Sequence, residues 1–324
     1  MPEPAIAVEP ASEVDLEAYS AFQREAFRDL LARSRATDAH MTAGHYRWKY
    51  HTPVGTGRIA SATEGSETLS SSAMLPLRVV VDGEPVTGWH CLDVATLPAA
   101  RRRGLLLATL GRLVESVPPG DLLFAFPNAG SIGAFAKLGF VENLILTTWI
   151  NPCVRLTKRG SGRIRSVERF GPEHDGVGSG FGAGRPHVDR RFDYLNWRYA
   201  DHPGNRYACF VLDEPRGAGI CIVRRVRVLD RELALVMEIV GPTAAAQTAL
   251  LSHAADWAAS QGLGTMALMS TPLVLRTAAS ALLVPVPSFL LPKRQVLVVR
   301  RAGAGTGPRV PARWAVQTGD WDVF

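Results

Sequence analysis

The sequence predicts an α/β protein, an α+β layer sandwich of two mixed-sheet units in tandem. Three observations predict it. Helix-like and strand-like patterns alternate through roughly the first 150 residues, a basic turn joins a strand to a helix near residue 103, and an aromatic element near residue 48 recurs near residue 197. Strands interspersed with helices bury their apolar faces most simply as layers. Self-similarity at a long fixed spacing is the mark of a repeated unit. At 324 residues, 47% of them hydrophobic, the chain has enough apolar surface for two cores.

Residues 12–33 read as an amphipathic helix, with Val14, Phe22, Ala26, Leu30 and Leu31 on one face and Ser12 and Asp15 as an N-terminal capping pair. A strand-rich region follows. Within it, LPLRVVVDGEPVTGWHCLDVA predicts two strands joined at Asp82-Gly83, a pair that tolerates the positive φ angles of a tight hairpin turn. The second strand covers 89–96 and stops at Pro98. A helix over 101–117 is entered through a basic, glycine-containing turn, and LLFAF at 122–126 is a short buried strand. Asn128 opens a further helix that ends at Gly139 as C-cap. Residues 155–190, rich in Gly and Arg with no apolar period, read as a linker or long surface loop.

Beyond it the first part recurs. HYRWKYHTPVG aligns with YLNWRYADHPG, so that Trp48 and Trp197, Lys49 and Arg198, and Tyr50 and Tyr199 are each 149 residues apart. Further on, Asp93 falls near Glu238 and Pro98 near Pro242, and an apolar helix over 243–260 matches the helix after Arg103. The expected organisation is therefore 1–154, the linker 155–190, and 191–324.

Composition excludes several classes. No run approaches the roughly 18 apolar residues of a spanning helix, mean hydropathy is only +0.05, and the N-terminus is acidic with no signal-like apolar stretch. A cytoplasmic protein without membrane contact is expected. Four scattered cysteines (Cys91, Cys153, Cys209, Cys221) show neither disulfide nor zinc spacing, so each is read as a small buried hydrophobe and no metal is expected. The formal charge of +6, with 32 Arg against 4 Lys, fits either codon bias or an anionic ligand.

The chemistry is concentrated in LDVATLPAARRRGLLLATLGRL, residues 92–113. The first N–H groups of a helix have no partner within it, and the helix dipole is positive there. Arg101, Arg102, Arg103 and Gly104 add charge and space, so the turn can hold a pyrophosphate or be a solvated basic loop. With FPNAGSIGAFAKLGF (126–140), this segment resembles the GNAT superfamily of acyl-CoA-dependent N-acyltransferases. That family's phosphate loop reads [QR]-x-x-G-x-[GA]; the matching residues begin at Arg103 and end at Ala108, with Leu106 where glycine is usual. The family's N-x-x-[AS]-x-x-x-Y-x-K-x-G-F segment is matched by Asn128 and by residues 134–140, with Phe135 in place of tyrosine. The W-[KR]-Y-x-x-x-P element and the terminal WAVQTGDWDVF resemble a tandem branch with two GNAT-like domains, common in polysaccharide and natural-product pathways.

The resemblance implies that acetyl-CoA or another acyl-CoA is the donor and a small-molecule amine, such as an amino sugar or natural-product intermediate, the acceptor. Val94, Ala95 and Thr96 would bond the pantetheine arm through their main chain. Residues from Arg102 to Leu107, Leu105 and Leu106 included, would cradle the pyrophosphate, with Asn128 and Phe135 nearby. The second unit has neither Arg nor Gly at this place, so one donor site is expected. Phe135 cannot donate the proton that the family's tyrosine gives to the leaving thiolate. His90 and Asp93 are the candidate bases; their opposite parity puts them on opposite faces of a regular strand, a rule that a bulge would soften. Asp320 and Asp322, on one side of an extended tail, are candidates to bind the acceptor's ammonium or hydroxyls. Two other readings stand beside this one: a non-catalytic CoA-binding or scaffold protein on a decayed GNAT fold, and an aminoacyl-tRNA-dependent transferase. Against the latter, the basic clusters are short and no basic stripe with interleaved aromatics invites nucleic acid.

Overall fold

The computed structural model describes residues 4–34, 40–152, 163–182, 184–213, 218–228, 231–271, 275, 282–291, 294–303 and 312–321. In chain order the elements are β1 (Ala5–Pro10), α1 (Leu16–Ser34), α2 (Ala43–Tyr50), β2 (His51–Thr52), β3 (Gly55–Thr56), β4 (Arg58–Glu64), β5 (Glu67–Val81), β6 (Glu84–Thr96), α3 (Leu105–Glu115), β7 (Leu122–Ala125), α4 (Ile132–Lys137), β8 (Val141–Ile145), β9 (Thr147–Asn151), β10 (Ile164–Val167), β11 (His187–Val188), α5 (Phe192–Leu195), β12 (Ala208–Leu212), β13 (Gly219–Val228), β14 (Arg231–Val240), α6 (Ala244–Ser260), β15 (Met266–Ser270), β16 (Val284–Pro285) and β17 (Val296–Arg301).

Two mixed sheets form the body. The first runs β1-β4-β5-β6-β7-β17-β8 with β11 added beside β5, and the second runs β10-β12-β13-β14-β15-β9-β16. Helices α3 and α4 cover the outer face of the first sheet, where Leu110, Leu113 and Phe135 meet Trp89, Cys91 and Leu123. Helix α6 covers the outer face of the second through Leu250, Leu251 and Ala254. Between the sheets lies one shared core, in which Tyr50, Leu77 and Phe124 join Cys209, Ile220, Met237 and Trp314. The mixed α/β architecture is that predicted from the sequence.

The hairpin forms at Asp82-Gly83, whose φ angles of 53° and 88° are the left-handed values that its residues permit. Gly139 ends α4 with φ 77°. Several local expectations change. Asp15 alone caps α1, its Oδ1 accepting from the N–H groups of Glu17 and Ala18 at 3.0 and 3.1 Å, while Ser12 lies outside the helix. Residues 155–190 are not simply a loop. The segment holds β10 in the second sheet, β11 in the first and the fully buried Arg190. Nor do the sheets divide where the sequence was split at 154 and 191. Strand β9 pairs with β15 in the second sheet, and β17 inserts between β7 and β8 in the first. Apolar patterning marks a strand but does not name its neighbour, so these crossings are invisible in the sequence.

The repeated aromatic elements face one another across the middle. Trp48 and Trp197 stack with ring centroids 5.4 Å apart and planes 21° from parallel. Each indole N–H donates to the other's carbonyl, Trp48 Nε1 to Trp197 O at 2.7 Å and Trp197 Nε1 to Trp48 O at 3.1 Å. This reciprocity is what a local two-fold between duplicated units produces. Both tryptophans are packing residues.

Candidate active site

The site is built where β6 leaves β7. The two strands pair in parallel only from Gly88 opposite Leu122 to Cys91 opposite Ala125. Beyond that, β6 stays paired with β5, Ala95 opposite Ser71 and Thr96 opposite Ser70. Its other edge is left without a strand, and a V-shaped opening results. A register shift between Leu92 and Ala95 marks the bulge that turns β6 away, and Asp93 within it has φ 49°.

Two adjoining cavities, which share Phe27, Val94, Asn128 and Ser131 in their walls, occupy the opening. The outer cleft, about 940 Å³, is lined by Val94, Ala95, Thr96, Arg101, Arg102, Gly104, Leu105, Leu106, Leu107, Asn128 and Lys137, among others. It meets the start of α3, where Gly104 is the N-cap at φ 80° and no side chain caps the helix. The free N–H groups and positive dipole end of α3 therefore open onto a basic cleft. Asn128 is spent internally: its Oδ1 accepts from the N–H groups of Gly130 and Ser131 at 2.8 and 3.1 Å and shapes the turn into α4. The inner cavity, about 120 Å³, lies deeper between the splayed strands, lined by Phe27, His90, Leu92, Asp93, Phe126, Ser131, Phe135 and Trp321 among others.

Most of the residues singled out from the sequence meet here. Arg103 is an exception, since its guanidinium turns to Glu64 at 3.3 Å instead of lining the cleft. Phe135 is buried against Phe140, centroids 5.0 Å apart, and walls the inner cavity. His90 and Asp93 line the same inner cavity, because the extra residue in the bulge cancels the parity that would separate them. His90 is buried and stacks on Phe124 at 4.7 Å. Asp93 is held by Lys49 Nζ, 2.9 Å from Oδ2, and by the Tyr50 hydroxyl at 2.7 Å. Burial, and next Asp93 itself, push the Tyr50 phenol well above its usual pKa, so it remains a donor.

Asp320 is a correction. It is buried in an ion pair with Arg190, Nη2 to Oδ2 at 2.7 Å, and does not line either cavity. The neighbouring Trp321 is the tail residue that reaches the site. Asp322 lies outside the described residues. Phe27, Ser131, Lys137 and Trp321 were not singled out in the sequence, although Ser131 and Lys137 lie in the quoted segment 126–140 and Trp321 in the quoted tail.

The second unit repeats the layout and closes it. Strand β14 pairs in parallel with β15 only from Ala234 to Val236, and its own bulge follows. Tyr199 donates to Glu238 Oε1 at 2.7 Å, as Tyr50 does to Asp93. The gap between the strands is filled by the chain's tail: Ile239 N donates to Gln317 Oε1, and Met269 N to Thr318 Oγ1, each at 2.8 Å. The N-terminus of α6 is capped by Thr243, whose hydroxyl accepts from Ala246 N at 3.0 Å. Where α3 offers unpaired N–H groups to a cleft, α6 is capped beside a gap already occupied.

Residues 7–140 match the family of acetyltransferase (GNAT) domains. The first unit belongs to this domain family. Among curated proteins no sequence match is found. Solved structures agree on the fold across both units. A GCN5-related N-acetyltransferase from Anabaena variabilis superposes with a TM-score of 0.66 at 11% identity, over 92% of this chain and 73% of that one. A tandem GNAT protein from the clavulanic acid biosynthesis pathway superposes with a TM-score of 0.59 at 14% identity, over 94% of this chain and all (100%) of that one. Saccharomyces cerevisiae N-myristoyltransferase with bound myristoyl-CoA gives a TM-score of 0.57 at 10% identity, over 92% of this chain and 84% of that one. At these identities the likeness is one of fold. The protein folds as two GNAT-like units in tandem, the first with an open cleft and the second with its gap filled.

Proposed function

We propose that this GNAT protein transfers a short acyl group, acetyl in the simplest case, from acyl-CoA to the amine of a small molecule. The observation that carries the reading is the outer cleft, which joins the strand-free edge of Val94, Ala95 and Thr96 to Arg101, Arg102 and the uncapped start of α3. The edge suits the amides of a pantetheine arm, and the helix start suits its pyrophosphate. Leu106 lies on the cleft without blocking it, since main-chain donors bind the phosphates. The small inner cavity at the end of that path has room for a short acyl group and an amine.

In the reaction a neutral amine attacks the thioester carbonyl, the tetrahedral intermediate expels the CoA thiolate, and the new N–C bond replaces the C–S bond. The proton lost by nitrogen needs an acceptor. Asp93 already accepts from Lys49 and Tyr50, so His90, the imidazole on the wall of the inner cavity, is the base we assign. With Phe135 in the wall, sulfur leaves as the thiolate. That same phenylalanine favours the second reading, a CoA-binding protein without turnover.

A thermal-shift titration with CoA, acetyl-CoA, longer acyl-CoAs and ATP as anion control tests the donor site. A ligand at 100 times its Kd stabilises the fold by about 2.7 kcal/mol. A shift with CoA species but not ATP, abolished in Arg101→Glu/Arg102→Glu, is expected. No shift with any CoA species refutes the proposal. Release of free CoA thiol with a panel of amines then separates enzyme from binder.

A further inference from the structure

The bulge that opens the cleft contains a residue in an unfavourable backbone conformation. Asp93 has φ 49°, a left-handed conformation that is uncommon for a non-glycine residue and persists only where its surroundings over-determine it. Four side chains from α1 and α2 do so. Lys49 Nζ reaches Asp93 Oδ2 and Oδ1 at 2.9 and 3.1 Å, and the Tyr50 hydroxyl donates to Oδ2 at 2.7 Å. Gln23 Nε2 donates to the Asp93 carbonyl at 3.2 Å and to the Tyr19 hydroxyl at 2.8 Å, and the two tyrosine hydroxyls are 2.9 Å apart. The side chains of Lys49 and Asp93 are only 3% and 6% exposed.

The second unit is an internal control. It keeps the tyrosine-to-carboxylate contact, Tyr199 to Glu238 at 2.7 Å, on a bulged strand whose cleft is filled by Gln317 and Thr318. A contact retained beside a gap that the chain itself fills belongs to the way the bulge is held and not to proton transfer.

We propose that Lys49, Tyr50 and Gln23 clamp Asp93 so that the following residues, 94–96, present their open edge to the pantetheine arm, and that Asp93 is a positioning residue and not the base. The inference rests on the acyl-CoA reading of the cleft. Its consequence is that the polar cluster between α1, α2 and β6 controls donor affinity without touching the donor.

The test compares Tyr50→Phe, Asp93→Asn and Lys49→Met with Tyr199→Phe, measuring CoA binding by calorimetry and thermal unfolding of each variant. Tyr50→Phe and Tyr199→Phe each remove a buried hydrogen bond to a carboxylate, and Tyr50→Phe also the contact with the Tyr19 hydroxyl, so both lower the melting temperature. Only Tyr50→Phe, with Asp93→Asn and Lys49→Met, weakens CoA binding, by tenfold or more. Lys49→Arg, which installs the residue found at the same place in the second unit, recovers affinity relative to Lys49→Met. If Tyr50→Phe and Asp93→Asn both bind CoA within twofold of the parent, the clamp is overturned. An equal loss of affinity in Tyr199→Phe overturns it too. A parent protein that does not bind CoA refutes instead the donor reading on which the clamp depends.

Discussion

Replacing Arg190 with methionine isolates the energetics of the closed second cleft. The guanidinium is fully buried, with Nε 3.2 Å from Glu238 Oε2, Nη2 2.7 Å from Asp320 Oδ2, and Cζ 4.0 Å from the Phe181 ring centroid. Although burial acts against its charge, Asp320 and Glu238 hold the Arg190 cation above its ordinary pKa. Burial, and then Asp320, keep Glu238 above the usual carboxylate range even with Arg190 beside it. Methionine keeps the volume and removes the charge, leaving two carboxylates facing each other out of water. Removing one member of a buried ion pair costs about 3–5 kcal/mol. With an unfolding entropy of about 2.1 cal/mol/K per residue, a loss of about 4 kcal/mol lowers the melting temperature of a chain this size by about 6 °C.

The pH dependence gives the sharper check. Without Arg190, Glu238 rises further above its unfolded pKa, so between those two values the native state holds more protons than the unfolded one. Stability of the variant then falls as pH rises through that window and recovers as pH falls toward the unfolded carboxylate value, about 4.3. Denaturant unfolding followed by tryptophan fluorescence, at pH 7.5 and pH 5, measures both effects. Glu238→Gln added to Arg190→Met should recover part of the loss, because Tyr199 and Gln317 can still bond an amide. A loss under about 1 kcal/mol at pH 7.5, or one that does not narrow at pH 5, refutes the uncompensated-charge argument.

Other outcomes follow from single features. Gly104→Ala puts a Cβ on a residue at φ 80°, costing about 1 kcal/mol in stability, and calorimetry should show weakened CoA binding as the first turn of α3 shifts. His202, held neutral down to about 3 by burial and then by Arg198, His45, His40 and Arg224, gives stability that is whole above its unfolded value near 6.5 and is lost as pH falls from there toward 3. The slope cannot exceed about 1.4 kcal/mol per pH unit and is smaller because the ring is partly exposed, and His202→Asn should flatten a melting-temperature profile between pH 7 and pH 4. Burial raises the Cys91 and Cys209 thiols to about 12, so mass spectrometry after iodoacetamide at pH 8 should find both unmodified until the protein unfolds.

The parts of this fold legible in the sequence were those with local chemistry. Asp82-Gly83 announced its hairpin, Gly104 behind three arginines its helix start, and the 149-residue spacing of Trp48 and Trp197 the duplicated unit that their stacked rings embody. Long-range relations were hidden. Arg190 stood in a stretch without apolar period, and its partners Glu238 and Asp320 lie 48 and 130 positions away, so nothing nearby marked it as buried. Parity separated His90 from Asp93 because a bulge leaves no trace in residue types. The tail was rightly singled out but its roles were exchanged: Asp320 serves the second unit's interior while Trp321, one residue on, walls the first unit's cavity.

The insertion of β17 has a bearing on how the chain is made. Strands β7 and β8 of the first sheet both depend on it, β7 through Ala125 and Val298, β8 through Leu144 and Leu297. Synthesis runs from the N-terminus, so until β17 has been made these two strands have no neighbour between them. The first unit cannot close as an independent folding domain, although it carries the open cleft. Its sheet is completed only after residues near 300 have left the ribosome. Until then its exposed edges are templates for pairing with other chains.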